Sequence, residues 1–246
     1  MKITLFIPTK NEIDGVKAIM PKIKKDWVDE IIIVDANSTD GTLEYLRGRG
    51  FKVIIQTLPG GAGAWWEGFQ AATGDVIIPF SPDGNSLPEK IPELVKKIKE
   101  SQGKENYDMI IVSRYKGQAR SYEDDWMSAL ANFSFNKIVN FLFSAHYTDC
   151  LVMYRAFKKE LLGKLNFNQN TGMQFNRYNA PLFELLISIR CAKKKMRVAE
   201  IPGDEPDRIS GLKESRAHPG KFIKIHNGLL MIYHIVREFI LWPFEK

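Results

Sequence analysis

Gly74-Asp75-Val76-Ile77-Ile78-Pro79-Phe80-Ser81-Pro82-Asp83-Gly84-Asn85-Ser86-Leu87-Pro88-Glu89 is the stretch on which the fold turns. Its first part, residues 76–80, is apolar and rich in β-formers, and the turn-forming Ser81, Pro82, Gly84 and Asn85 follow at once. Such a run enters as a buried strand and leaves as an exposed loop. In an open α/β sheet that loop lies outside the carboxyl end of the strand, where ligands bind, and Asp83 is the acid delivered there. Ser-Pro-Asp-Gly-Asn is also the composition of an ordinary turn, so the stretch takes its meaning from its neighbours.

Upstream, strands and helices alternate. Residues 3–7 form a strand that Pro8 stops, and Thr9-Lys10-Asn11-Glu12 opens a helix running through Val16, Ile19 and Ile23 at helical spacing. Residues 30–35 are a nearly continuous apolar run ending in Asp35, as expected of a parallel strand covered on both faces. A polar turn with Asp40 as a capping residue starts a helix over 42–49, and a third strand spans 52–56. Residues 58–64 read as a glycine-rich loop ahead of a helix over 65–72. Free N–H groups at such a helix start favour phosphate, but neither of the common phosphate-binding patterns is present.

Downstream, a helix is expected over 88–100, a strand over 107–113 ending in Ser113-Arg114-Tyr115, and a polar loop over 116–125. Residues 126–143 are helical and carry Phe133, Phe135, Phe141 and Phe143, which suit either a core or an exposed apolar patch. A strand or turn follows at 148–157, then helices over 158–165 and 178–194, a strand over 196–201 and a charged loop from Asp204 through Arg208 to Lys213. The last helix, 222–239, has one apolar face built from Leu229, Ile232, Tyr233, Val236 and Ile240. It either docks on the domain or, with Lys221, Lys224, Arg237 and Trp242-Pro243-Phe244 nearby, lies on anionic lipid. The alternation predicts one α/β domain with a mostly parallel, Rossmann-like sheet and helices on both faces.

The bulk properties narrow the partners. With 246 residues and 44% apolar content the chain can bury a large core, and its net charge of +6 favours an anionic partner. The longest basic run is Lys193-Lys194-Lys195 at a helix end, so nucleic acid is not expected. Cys150 and Cys191 are too few for a disulfide framework and indicate a reducing compartment, and the four histidines lack metal-ligand spacing. The chain opens directly on a strand, so no export signal is expected, and no apolar run reaches transmembrane length. A cytoplasmic protein that meets the inner face of the membrane from the side fits these properties.

Taken together, these motifs resemble the family 2 glycosyltransferases of the GT-A fold, in the branch of dolichyl-phosphate mannose synthases and polyprenyl-phosphate sugar synthases. The resemblance rests on Ile7 to Glu12, Glu30 to Asp35 with Ser38-Thr39-Asp40-Gly41-Thr42, Ala72-Thr73-Gly74-Asp75, Ser113-Arg114-Tyr115, Thr148-Asp149 and Tyr154-Arg155-Ala156. It implies a GT-A domain over 1–220, with a nucleotide half (1–115) and an acceptor half (116–220), followed by an amphipathic helix over 221–246. Pro8, Thr9, Glu12 and Asp35, with Gly63 beside them, would line the nucleotide.

The family's D-x-D motif falls on Ser81-Pro82-Asp83, so its first aspartate is absent. Asp83 and Asn85 would hold Mg²⁺ or Mn²⁺, and Arg114 with Arg208 or Lys213 would clamp phosphate oxygens. A phosphate acceptor needs no general base. A hydroxyl acceptor does, and Asp149, Asp125 and Glu184 are the candidates. The acceptor-phosphate arginine of the mannose synthases has no counterpart in Met127-Ser128-Ala129-Leu130, and Arg120 is its substitute from the loop.

The expected activity is an inverting, metal-dependent transfer from a UDP- or GDP-sugar to a polyprenyl-phosphate or glycan acceptor. Ser81 also admits a catalytically silent module that binds nucleotide sugar or glycan. A sugar-phosphate nucleotidyltransferase fits less well, because Pro8 to Glu12 replaces the basic glycine-rich loop that such an enzyme carries after its first strand.

Overall fold

A computed structural model describes residues 1–167, 182–209 and 221–241. Seven strands form one sheet in the order β3-β2-β1-β4-β6-β5-β7. They are β1 (Ile3–Thr9), β2 (Glu30–Asp35), β3 (Lys52–Ile55), β4 (Val76–Pro79), β5 (Met109–Ser113), β6 (Arg155–Lys158) and β7 (Val198–Pro202). Every ladder is parallel except those of β6, which runs antiparallel between β4 and β5. The helices are α1 (Ile13–Ile19), α2 (Thr42–Gly48), α3 (Gly60–Ala71), α4 (Lys90–Glu100), α5 (Trp126–Phe143), α6 (Leu161–Lys164), α7 (Leu182–Lys193) and α8 (Lys221–Leu241).

Alternation along the strands divides the core in two. Leu5, Ile7, Ile33, Ile78 and Ile110 face a core shared with α1, α2 and α4, whereas Phe6, Ile32, Val34, Ile77 and Ile111 face a core shared with α3, α5, α7 and α8. In the second core Phe6, Trp65, Phe69 and Phe183 pack ring to ring, with centroids 4.6–5.8 Å apart. At about 25 cal/mol per Å² of apolar surface, rings of this size make large hydrophobic contributions.

Several boundaries differ from the sequence expectation, each for a local reason. Pro8 does not stop β1 but pairs in register with Val34, because a proline near a strand end forfeits at most one ladder bond. Asn11 adopts φ 53°, which delays α1 to Ile13, and Pro21 then converts its end into a 3₁₀ turn over Met20–Lys22. The glycine-rich residues 60–64 are the first turns of α3 rather than a loop. The part of the predicted 178–194 helix before Leu182, residues 210–220 with Lys213, and Trp242-Pro243-Phe244 lie outside the described residues.

The chain leaves β1 toward β2 and β3 on one side and returns to β4 on the other. The carboxyl ends of β1 and β4 therefore flank a topological switch point, where open α/β sheets bind ligands.

Candidate active site

The loop after β4 is held at the switch point by close backbone packing. A Cβ on Gly15 of α1 would stand 2.5 Å from the Pro82 carbonyl oxygen, so only glycine lets α1 approach the turn that carries Asp83. Gly84 sits at φ 97°, a region that L side chains avoid, and the Ile209 N–H donates to the Asp83 carbonyl at 2.9 Å. Asp83 is buried except for its edge on the site, and the Asn85 N–H donates to its Oδ1 at 3.2 Å.

On the β1–β2 side, Asp35 is fully buried and already satisfied. Thr9 Oγ1 and Ser38 Oγ donate to its Oδ2 at 2.9 and 2.6 Å, and the Ser38 N–H donates to Oδ1 at 2.8 Å. In this geometry Asp35 holds the Thr9 and Ser38 loops together and offers no surface of its own. Glu12 is buried next to it, its N–H donating to Thr42 Oγ1 at 2.9 Å. Gly63 packs on Leu58, whose carbonyl oxygen would lie 2.5 Å from an added Cβ.

A cavity of about 620 Å³ opens between the β4 and β5 loops, α5 and α8. Its lining includes the polar Ser81, Asp83, Asn85, Arg114, Glu123, Glu205 and Arg208 and the apolar Met127, Ala131, Phe135, Leu151, Ile225 and Met231. Among the described residues its carboxyl groups are Asp83, Glu123, Asp124, Glu184 and Glu205, and its cations are Arg114, Arg208 and Lys224.

Arg114 is pinned. Its Nε and Nη2 donate to the two oxygens of Asp149 at 2.7 and 3.0 Å, and its Nη1 lies 3.2 Å from Glu205 Oε2. Although its burial acts the other way, those two carboxylates raise its pKa well above the usual value. Asp149 is fully buried and committed to this pairing. Asp149, expected as a candidate base, pairs with the guanidinium and is not among the cavity residues. Asp125, the second candidate base, also has partners of its own. It caps α5 by accepting from the Ser128 N–H at 2.7 Å and pairs with Lys224 at 2.8 Å, contacts that hold its pKa well below the carboxylate range. Arg120 is exposed and is not among the cavity residues.

Glu184, in the first turn of α7, does reach the cavity. Burial pushes its carboxyl up to about 7, while its own backbone N–H and the charge of Arg155 act in the opposite direction. Arg155 is itself fully buried. It donates to Ser188 Oγ at 3.1 Å and to carbonyls of Val152 and Glu184.

The metal candidates gather around one point. Arg208 Nε lies 2.9 Å from Asp83 Oδ2 and 3.2 Å from Glu123 Oε1, and Asn85 Nδ2 donates to Glu123 Oε2 at 3.3 Å. A cation thus already stands between two carboxylates, and hard oxygens of this kind suit Mg²⁺ or Mn²⁺. Among the described residues no group of three or more His, Cys, Asp or Glu side chains gathers as metal ligands. A divalent ion here would take one or two carboxylates and complete its shell from phosphate oxygens, as Mg²⁺ commonly does. Glu123, Glu205 and Lys224 are site residues that the sequence reading did not select. Nothing in their local sequence separates them from other charged loop or helix residues.

This arrangement, a mostly parallel sheet with Asp83 on the loop at its switch point, is a single α/β domain of the GT-A type. The sequence model of glycosyl transferase family 2 matches residues 4–165, and the chain belongs to that family. It is 27% identical over 172 residues to an undecaprenyl-phosphate 4-deoxy-4-formamido-L-arabinose transferase of Aeromonas hydrophila, covering 65% of this chain and 50% of that protein. A protein of the same name from Pectobacterium atrosepticum is 29% identical over 177 residues, covering 66% and 50%. The chain thus spans about half the length of these relatives. Among solved structures, glucosyl-3-phosphoglycerate synthase of Mycobacterium tuberculosis with bound UDP superposes with a TM-score of 0.63 at 18% identity, covering 92% of this chain and 80% of that one. The same enzyme with Mn²⁺, UDP-glucose and phosphoglyceric acid gives 0.61, with 92% and 79% covered.

Proposed function

We propose that the protein transfers a sugar, with inversion, from a nucleotide diphosphate sugar to a polyprenyl-phosphate acceptor at the face of a membrane. The observation that carries this reading is the cavity itself, which brings charged groups around Asp83 together with apolar side chains of α5 and α8. A lipid phosphate has the matching polarity, a charged head on a hydrocarbon chain. The undecaprenyl-phosphate transferases among the relatives support the same acceptor class.

Thr9, Glu12 and the loop braced by Asp35 form the nucleotide side, with Pro8 and Gly63 completing its walls. Asp83 and Asn85, beside Ser81, hold the divalent cation, which when bound neutralises charge developing on the leaving diphosphate. The acceptor oxygen attacks the anomeric carbon from the face opposite the diphosphate. One carbon–oxygen bond forms as the other breaks, and no proton moves when the acceptor is already an anion. Among the described residues, Lys224 at the α5 end and Arg208 at the diphosphate end are cations that can meet the two phosphates. Arg114, neutralised by Asp149 and Glu205, shapes the wall between them.

A glycan acceptor is the second reading, and Glu184 favours it. A hydroxyl nucleophile needs a base, and a carboxyl pushed up to about 7 at the cavity face meets that need. Transfer assays with labelled UDP- and GDP-sugars and Mn²⁺, offering short polyprenyl phosphates or oligosaccharides, separate the two. Calorimetry showing no binding of any nucleotide sugar in the presence of Mn²⁺ would sink both.

A further inference from the structure

Arg208 and Glu123 have a relation to Asp83 that the transfer reaction alone does not explain. Arg208 brings its Nε to 2.9 Å from Asp83 and 3.2 Å from Glu123. Glu123 comes from the segment before α5 and is held by Asn85, itself two residues from Asp83. Two carboxylates brought this close repel one another unless a cation lies between them. Ser81 leaves the β4 loop one anion short of an Asp-x-Asp pair, and Glu123 stands on the same cation from the opposite side.

We propose that Arg208 is a built-in placeholder for the divalent cation, held between Asp83 and Glu123 in the donor-free protein, and that Glu123 supplies the second anion the Ser81-Pro82-Asp83 turn lacks. This rests on the metal site proposed above. A guanidinium 2.9 Å from Asp83 Oδ2 and a divalent ion on the same carboxylate repel one another, so uptake of the ion displaces Arg208 from Asp83. The freed guanidinium remains beside the diphosphate that arrives with the metal, exchanging a carboxylate partner for a phosphate one. The consequence is ordered binding: the ion alone competes against an internal charge, whereas the ion with a nucleotide diphosphate offers that charge a new partner.

The test is Mn²⁺ binding followed by electron paramagnetic resonance on the full chain, with and without UDP or GDP, so that no turnover enters the readout. The parent should take up Mn²⁺ weakly alone and about tenfold or more tightly with nucleotide, the scale expected for gain or loss of one adjacent charge. Arg208→Gln should gain about that factor in nucleotide-free Mn²⁺ affinity, and Arg208→Lys, which keeps the charge, should stay near the parent. Adding Glu123→Gln to Arg208→Gln should abolish the gain.

If the parent binds Mn²⁺ with nucleotide but Arg208→Gln gains nothing alone, the placeholder fails while the metal site stands. If Arg208→Gln gains affinity and the added Glu123→Gln does not remove it, Glu123 is not the second anion. If no nucleotide promotes Mn²⁺ uptake by the parent, both this inference and the metal reading are overturned.

Discussion

Asp83 is worth no more than its placement, and that placement depends on the missing side chain of Gly15 on α1, which packs against its turn. A methyl group on Gly15 would overlap the Pro82 carbonyl at 2.5 Å, so Gly15→Ala must push α1 and the Asp83 turn apart. We expect a destabilisation of about 1–3 kcal/mol by urea unfolding, together with weaker Mn²⁺-dependent nucleotide binding. Asp83→Asn should leave the fold intact and lower transfer by roughly 100-fold or more, measured with saturating donor.

Glu184 gives a pH signature of its own. Its pKa is raised from 4.5 to about 7 by burial, so the folded state holds its proton more tightly than the unfolded chain does. That stability is fully present below pH 4.5 and is lost as the pH rises through about 7. Each unit of upward shift corresponds to about 1.4 kcal/mol. Urea midpoints should fall between pH 5 and pH 8 in the parent, and Glu184→Gln should flatten that fall. An equal decline in both proteins would show that another group titrates.

At the scale of elements, α8 is attached by charge as well as by apolar packing. Met231 and Ile235 enter the core, while Glu238, 1% exposed, meets Arg190 and Lys193 of α7 at 2.8 Å each. These partners satisfy a carboxylate that burial alone would neutralise, and they hold its pKa below the ordinary value. Removing one member of such a cluster leaves charge buried without compensation. Glu238→Gln should therefore cost roughly 3–5 kcal/mol. Circular dichroism during denaturation would register it.

The outward face of α8 is different. Ile225, Leu229, Ile232, Tyr233, Val236, Phe239 and Ile240 are all exposed, and α5, alongside it, exposes Trp126, Leu130, Phe133 and Phe141. Lys224 meets Asp125 at one end and Phe239 meets Phe143 at the other, so the two helices run side by side in the same direction. The four phenylalanines of α5 divide accordingly: Phe135 and Phe143 are core, Phe133 and Phe141 are surface.

At the scale of the molecule, that two-helix platform gives the proposed membrane contact its physical form. Among the described residues no helix is long and apolar enough to cross a bilayer. A broad apolar face on a chain of net charge +6 suits the surface of anionic lipid. Flotation with anionic vesicles should drop by several-fold for Trp126→Ser combined with Phe141→Ser, with the unfolding midpoint nearly unchanged. Equal flotation of parent and variant would exclude the platform. Deleting α8 would be a poorer experiment, because it also exposes the buried Arg190 and Lys193.

Much of this was legible in the residues themselves. Alternating strands and helices, the apolar runs at 30–35 and 76–80 and the turn at 81–85 follow from side-chain volume, periodicity and proline and glycine geometry, which act over a few residues. These local rules were enough for an α/β sheet with ligand-type residues at its strand ends. They could not order the strands or reveal that β6 enters antiparallel, since that depends on which faces bury best against distant helices.

Nor could they say which charges are free. Asp149 and Asp125 look like bases in the sequence, and the fold commits them to Arg114 and Lys224 from 35 and 99 residues away. Glu123, an unremarked loop residue, is brought to Arg208 and Asp83 by the same long-range packing. Chemistry at a site depends on distances of a few ångströms between charges. Sequence spacing determines such distances only within one element, and between elements the tertiary structure decides them.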